Sequence, residues 1–391
     1  MIAISTLFAL LLQVPDSAAF ARAANYAAST DGQAVLVMHR GRTVYETYMA
    51  GGSASKRSGL ASGSKSFVGV AALAAVADGK LNLDRPVGDY LPEWRNDPAK
   101  QRITVRQVLS LESGMQSGNP GTGCGGPGKT WTDAINAGTF AAPGEQFRYG
   151  PYPFIVGGAV IEKVTGERFE DYLERRILKP LGIRVDWVLK CGDGKPQLAG
   201  GASTTARDWA VFGEFVRRDG EYNGRRILPP GLVRELYQPS GANPNYGMSW
   251  WLVGAALQRN PAMGIEQADG GGIGGGRMGG AGGKGRAGGR AGGLGGRLGA
   301  LRRARAARRG GGGGGEEGSR IGTGPGAPMP AWMPADLFMA AGMGKQRLYV
   351  IPSMELIVVR MGPITGGRQF TDLAFLEALL GPRVGGASRL R

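Results

Sequence analysis

Hydrophobic and polar positions divide this chain into strand-like ends and a helical middle. Alternating apolar and polar residues predict a β-hairpin over 33–50, and apolar runs predict strands over 246–252, 347–351 and 355–360. Helical periodicity predicts a helix that Ser62 opens and Gly79 closes. Further helices are predicted over 20–29, 105–111, 153–164, 169–178, 206–218, 230–236 and 371–380.

Strands at both ends and helices between them predict an α+β fold. We expect an antiparallel sheet domain, flanked by helices, that is assembled from residues 20–75 and 240–391. A mainly helical domain over 76–239 would then be inserted between its parts. The boundary between two such domains is a natural place for a binding cleft.

Residues 270–330 change the composition abruptly, to Gly-Gly-x repeats with scattered arginines. The formal net charge is +16, and eleven Lys or Arg against Glu316 and Glu317 between Gly270 and Arg320 supply about nine of those charges. A segment with so little to bury is expected to be a disordered insert within the sheet domain. It is either a passive linker or a tether that binds polyanions through its arginines. The segment lacks the aromatic residues that would stack on bases. Nucleic acid is therefore an unlikely partner, except through this insert.

The N-terminus and the two cysteines bear on localisation. Residues 1–19 contain a short apolar run that ends in small residues, which is typical of a secretory signal except for the missing basic start. No integral membrane span is expected, because this run is too short and no second long one follows. Cys124 and Cys191 can form one disulfide if the protein is periplasmic or secreted, or remain two unrelated thiols, for instance in a cytoplasmic protein.

The chain contains one histidine, His39, which limits its chemistry. A Ser-His-Asp or Cys-His mechanism would have to run through that residue, and its context predicts an ordinary position in a hairpin. Two cysteines also do not supply a disulfide-dense scaffold or a full zinc site.

Ser62-Gly63-Ser64-Lys65 places a hydroxyl and an amine three residues apart at a helix start. The two side chains then share one face and can hydrogen-bond. A serine hydroxyl needs a base to become a good nucleophile, and a lysine can serve if burial or a neighbouring cation lowers its pKa. The tetrapeptide alone is weak evidence, because a helix-capping serine explains Ser62 equally well.

The segments around this tetrapeptide resemble, in order, the serine β-lactamase-related family of class C β-lactamases, D-amino-acid peptidases, esterases and amidases. The similar segments begin with Leu-Asn-Leu-Asp-Arg-Pro-Val-Gly-Asp-Tyr-Leu-Pro at 81–92 and Ile-Thr-Val-Arg-Gln-Val-Leu-Ser-Leu-Glu-Ser-Gly-Met at 103–115. They continue with Pro-Gly-Glu-Gln-Phe-Arg-Tyr at 143–149 and the Gly-Gly-Ala-Val-Ile-Glu-Lys-Val-Thr-Gly stretch at 157–166. The resemblance implies a β-lactamase/transpeptidase-like fold.

The resemblance also implies roles for particular residues. Tyr149 occupies the tyrosine of the family's second motif, where it would move protons together with Lys65. The backbone N–H groups of Ser62 and Met343 would form the oxyanion hole, and Gly342 would let a substrate lie against its strand.

Two departures from the family pattern bear on the substrate. Pro151 replaces the asparagine of the second motif, which removes an amide that would bind an acylamino group. Ala340 replaces the cation of the third motif, which would pair with a substrate carboxylate. Both losses disfavour β-lactams and cell-wall peptides.

The sequence therefore predicts a serine hydrolase that forms an acyl-enzyme on Ser62 and acts on small esters or uncharged amides. Lys65 and Tyr149 would transfer the proton, and no metal or organic cofactor is required. The alternatives are a β-lactamase or D,D-peptidase, and a non-catalytic binding protein on the same fold.

Overall fold

A five-stranded antiparallel sheet joins the two ends of the chain. The computed structural model describes residues 14–119, 124–252, 330–366 and 369–382. The strands of this sheet are Ala34–His39 (β1), Arg42–Tyr48 (β2), Phe338–Gly342 (β8), Gln346–Ile351 (β9) and Leu356–Met361 (β10). Their order across the sheet is β2-β1-β10-β9-β8.

The N-terminal hairpin meets the C-terminal strands through β1. β1 pairs with β10 from Ala34 opposite Met361 to His39 opposite Leu356. The turn between β1 and β2 consists of Arg40 and Gly41, with φ of 51° and 76°. Two left-handed residues in a two-residue loop match the twist of a tight hairpin, which explains why a glycine lies here.

Helices cover both faces of the sheet. Helix α1 (Ser17–Ser29) packs against the C-terminal helix α10 (Asp372–Leu380), and both bury apolar side chains against one face. Helix α9 (Ala206–Arg217) lies on the other face, against β1, β9 and β10. Successive residues of a strand point to opposite faces, so the sheet separates two apolar cores.

The remaining elements lie between β2 and β8 and are mostly helical. The α-helices are Lys65–Ala77 (α2), Pro92–Arg95 (α3), Val105–Leu109 (α4), Trp131–Ile135 (α5), Tyr152–Thr165 (α6), Phe169–Leu173 (α7) and Lys179–Leu181 (α8). Short strands are Ser58–Gly59 (β3), Asp186–Trp187 (β4), Ala202–Thr204 (β5), Glu221–Tyr222 (β6) and Arg225–Arg226 (β7). The long α2 and α6 pack against each other in the larger core.

The antiparallel sheet with its helices confirms the predicted α+β class. The division into two domains at 75 and 240 stays a prediction. Residues 1–13 of the predicted signal segment and residues 270–329 of the predicted insert lie outside the described residues. Within the described ranges, no helix is both long enough and apolar enough to cross a bilayer.

Three predicted elements differ from the structure. The predicted helix 20–29 begins earlier, at Ser17, because Asp16 caps it by accepting a hydrogen bond from the Ala19 N–H at 2.9 Å. The predicted strand 246–252 is instead a tight reversal in which Tyr246 is bridged to Trp251. The predicted helix 230–236 is a 3₁₀ helix over 232–237.

Candidate active site

A short 3₁₀ helix, Ala61–Ser64, carries Ser62 and leads directly into α2. Ala61 has a left-handed φ of 45°, which sets the sharp turn before the serine. Gly63 has no room for a side chain, because an added Cβ would lie 2.9 Å from the Trp209 ring. The Ser64 hydroxyl accepts a hydrogen bond from the Ala202 N–H at 3.0 Å, which ties the turn to β5. The partly buried Ser62 is therefore held on a turn that is anchored from two sides.

Lys65 is the first residue of α2, and its amine lies beside Ser62. Its Nζ donates to Ser62 Oγ at 2.9 Å and to the Ala199 carbonyl oxygen at 2.9 Å. The side chain is only 4% exposed. This burial lowers the pKa of Lys65 from 10.5 to about 7, because an ammonium loses its hydration in an apolar environment. Near neutral pH, a substantial fraction of the amine is therefore unprotonated and able to accept a proton.

The Tyr149 ring also lies beside the lysine amine. Lys65 Nζ is 4.7 Å from the centre of the Tyr149 ring. That ring stacks on Trp251 with centroids 5.7 Å apart, and Tyr246 contacts it edge-on at 6.5 Å. Burial, and then the neighbouring Tyr149, raise the pKa of Tyr246 well above its usual range. These aromatic contacts fix the Tyr149 ring next to Lys65.

Strand β8 ends at the serine turn. Ala340 and Gly342 belong to the sheet face that looks toward the larger core, together with Phe338. A Cβ on Gly342 would lie 2.0 Å from the Leu60 carbonyl oxygen, so glycine is required for the strand to approach the turn. It is not a bulge residue, since it stays in register opposite Gln346 in β9.

Met343 follows Gly342 and begins a 3₁₀ helix, Met343–Lys345, that contacts the 3₁₀ helix of Ser62. Its side chain is 45% exposed. The Met343 turn therefore packs directly against the turn that carries Ser62.

Pro151 lies two residues after Tyr149 and precedes α6. It is buried, and its carbonyl accepts hydrogen bonds from the Phe154 and Ile155 N–H groups at 3.1 and 3.2 Å. A proline has no N–H and fits at the start of a helix, where that donor would have no partner in the helix. At this position it supplies no polar side chain to a substrate.

Cys124 and Cys191 form a disulfide, with Cα atoms 5.7 Å apart. The bridge ties the loop before α5 to the segment that runs from Cys191 to Ala199, whose carbonyl binds Lys65. His39 lies at the hairpin end of β1, opposite Arg42 and Leu356. Among the described residues, no group of three or more His, Cys, Asp or Glu side chains is placed to hold a metal ion.

Three groups at the site could not be predicted from the sequence. The Ala199 carbonyl is a backbone group, so no side-chain pattern indicates it. Phe154, with its ring centre 5.5 Å from Lys65 Nζ, follows the apolar pattern of α6 like any core residue. Trp251 lies in an aromatic run that indicates no particular role, and its stacking on Tyr149 is the contact that places it at the site.

This arrangement can perform acyl transfer. When its amine is unprotonated, Lys65 can accept a hydrogen bond from the Ser62 hydroxyl 2.9 Å away and take its proton as the oxygen attacks a carbonyl. The start of α2 favours negative charge close to the serine turn.

Comparison with known proteins agrees with this fold. The family model described as Beta-lactamase matches residues 18–361. The chain therefore belongs to the beta-lactamase family, and its fold is of the β-lactamase/transpeptidase-like class.

Individual relatives cover a range of named activities. The chain is 27% identical over 264 residues to the 6-aminohexanoate-dimer hydrolase of Paenarthrobacter ureafaciens, covering 59% of this chain and 67% of that protein. The structure of EstCE1, "a hydrolase with promiscuous acyltransferase activity", is similar with a TM-score of 0.62, 16% identity and 93% and 99% of the two chains covered. A D-stereospecific amidohydrolase from Streptomyces sp. has a TM-score of 0.59 at 18% identity, with 93% and 98% covered.

Other curated relatives match over a shorter part. Protein flp of Staphylococcus aureus (strain MW2) is 30% identical over 132 residues, which is 32% of this chain. The chain thus spans only 26% of the length of flp. Its match to the putative penicillin-binding protein PbpX of Bacillus subtilis spans 35% of that protein.

Proposed function

We propose that this protein is a serine hydrolase that cleaves esters or uncharged amides through an acyl-enzyme on Ser62. The observation that carries the proposal is the 2.9 Å hydrogen bond between Lys65 Nζ and Ser62 Oγ at a fully enclosed amine. A buried lysine is costly to a fold, and such groups concentrate at functional sites.

The proposed reaction assigns a role to each polar group near Ser62. Ser62 Oγ attacks the substrate carbonyl carbon while Lys65 takes the hydroxyl proton. The backbone N–H groups of Ser62 and Met343 bind the oxyanion as it forms. Lys65 and Tyr149 return the proton to the leaving alcohol or amine, and water then releases the acyl group from Ser62 by the reverse sequence.

The substrate class is inferred from two polar groups that are missing at positions 340 and 151. Ala340 lies on the same face of β8 as Gly342 and is not a cation, and Pro151 has no side-chain amide. A carboxylate or acylamino group would therefore lose its hydration at these two positions without gaining a charged or amide partner there. An uncharged ester or amide does not incur that cost. This supports hydrolysis of esters or amides in preference to β-lactams or D,D-peptides.

The disulfide supports an exported protein. Disulfides persist in oxidising compartments and are rare in the cytosol, and the bond between Cys124 and Cys191 is formed in the structure. We therefore propose a periplasmic or secreted location, to be tested by fractionating cells that express the full chain.

Parallel assays with a p-nitrophenyl ester and a chromogenic cephalosporin test the proposed activity. We expect a fluorophosphonate adduct on Ser62 and ester turnover that Ser62→Ala removes. Ser53→Ala, at an exposed serine, is the matched control and should keep full turnover. An absent adduct together with unchanged turnover in Ser62→Ala would contradict the mechanism, and faster cleavage of the cephalosporin would contradict the substrate class.

A further inference from the structure

Two fully buried arginines face each other behind the Met343 turn. Arg347 in β9 and Arg360 in β10 are paired in register, and neither side chain is exposed. Both donate hydrogen bonds to backbone carbonyls of the turn that joins β8 to β9. Buried guanidinium groups without a matching number of carboxylates are rare, so these contacts call for an explanation beyond packing.

Arg347 binds the peptide group that links Gly342 to Met343. Its Nη1 donates to the Gly342 carbonyl oxygen at 3.1 Å and to the Gln346 carbonyl oxygen at 3.1 Å. The Gly342 carbonyl and the Met343 N–H belong to one amide. A cationic donor on that carbonyl draws electron density from the amide, which makes the N–H a stronger donor.

Arg360 holds the remainder of the same turn. Its Nη1 donates to the Gly344 and Lys345 carbonyl oxygens at 3.1 and 2.9 Å, and its Nη2 donates to the Thr30 carbonyl oxygen at 2.5 Å. Gly344 and Lys345 both have left-handed φ, of 74° and 57°. A turn with such a backbone needs outside contacts to persist.

Asp372 orients the first of these arginines. Its carboxylate accepts from Arg347 Nε at 2.7 Å and from Arg347 Nη2 at 3.0 Å, which is a bidentate pair. The Tyr349 hydroxyl donates to the same carboxylate. Because Asp372 accepts hydrogen bonds from both Nε and Nη2, the orientation of the guanidinium is fixed. In this orientation Nη1 points toward the turn.

We infer that Arg347 is a positioning residue for catalysis, which strengthens and aims the Met343 N–H as an oxyanion donor through the Gly342 carbonyl. This inference rests on the proposed function, since it requires an oxyanion to form at Ser62. The ion pair between Arg347 and Asp372 would thereby contribute to catalysis. Nothing in the sequence pattern around these two residues indicates such a role.

Arg347→Lys tests the inference, because it keeps the charge beside Asp372 but removes the fork that reaches Gly342. We expect kcat for a p-nitrophenyl ester to fall roughly tenfold, less than the roughly 100-fold or greater cost of losing an oxyanion donor. KM should change less than twofold. The infrared carbonyl stretch of the acyl-enzyme should move to higher wavenumber, because the carbonyl is less polarised.

Arg217→Lys is the matched control. Arg217 forms an equally bidentate pair with the buried Glu214 on α9, at 2.7 Å for both bonds, and does not contact the Met343 turn. It should lose thermal stability as Arg347→Lys does while keeping kcat and the carbonyl frequency. If Arg347→Lys does not fold, Asp372→Asn, which removes the orienting charge at the same size, should show the same frequency shift.

The contradicting outcomes distinguish a failure of the Arg347 inference from a failure of the proposed hydrolase function. An unshifted carbonyl frequency in the folded variant, or equal kcat losses in Arg347→Lys and Arg217→Lys, would overturn the role of Arg347. Absence of any acyl-enzyme in the wild-type protein would instead overturn the proposed function.

Discussion

Replacing Lys65 with methionine should abolish activity and yet stabilise the protein at neutral pH. The folded protein holds the amine at a pKa of about 7 instead of 10.5, and this difference corresponds to about 5 kcal/mol. Because the unfolded chain binds the proton more tightly, the stability of the wild type is lowest below pH 7 and rises as the pH increases toward 10.5. Lys65→Met removes that cost.

The substitution also removes the hydrogen bond from Lys65 Nζ to the Ala199 carbonyl, and an unpaired buried carbonyl costs about 1–3 kcal/mol. The expected balance is a gain of about 1–3 kcal/mol at pH 7 that becomes a loss by pH 10, where most of the ionisation cost in the wild type is gone. The change of sign distinguishes electrostatics from packing.

Urea unfolding at pH 7 and pH 10, followed by tryptophan fluorescence, measures both balances. Lys80→Met, at an exposed lysine beyond the end of the same helix, is the control and should change stability by about 0.5 kcal/mol or less at either pH. A Lys65→Met protein that is less stable at both values of pH by the same amount would refute the reasoning.

Four further predictions address the same site. Ester kcat/KM should rise with pH through about 7 as Lys65 loses its proton and then level off; a flat profile from pH 5.5 to 8 would contradict its role as the base. Tyr149→Phe keeps the ring stack but removes the hydroxyl, so steady-state kcat should fall roughly 100-fold or more, and wild-type kcat would argue against proton transfer. Reducing the disulfide between Cys124 and Cys191, which closes a separation of 67 residues, should lower the free energy of unfolding in urea by up to about 4 kcal/mol; an unchanged midpoint would contradict this. Gly342→Ala would place a Cβ 2.0 Å from a backbone oxygen and should lower both Tm and kcat, whereas wild-type values of both would show that the strand can move away freely.

The polar pattern around Ser62 could be predicted because it is local. Three residues along a helix start bring Ser62 and Lys65 together whatever the rest of the chain does. Tyr149 is 84 positions beyond Lys65, and only the ordered resemblance of the flanking segments indicated that it would be near. The structure places its ring 4.7 Å from Lys65 Nζ.

Other features depend on tertiary contacts that a sequence pattern does not record. The run at 246–252 has the composition of a strand, but Ser249 takes a left-handed φ of 75° and the chain reverses there. Gly342 needs its glycine because of Leu60, which lies almost 300 residues earlier. The Ala199 carbonyl and the Arg347 contact to Gly342 are backbone interactions, for which no side-chain pattern exists.

The central claim is that Ser62 carries the acyl group during turnover. Acid quenching during hydrolysis of a slowly released ester, followed by peptide mass spectrometry, tests it directly. We predict the mass of the acyl group on the peptide that contains Ser62, and no such peptide in Ser62→Ala. Ester turnover without that modified peptide, or with the acyl group on another residue, would contradict the claim.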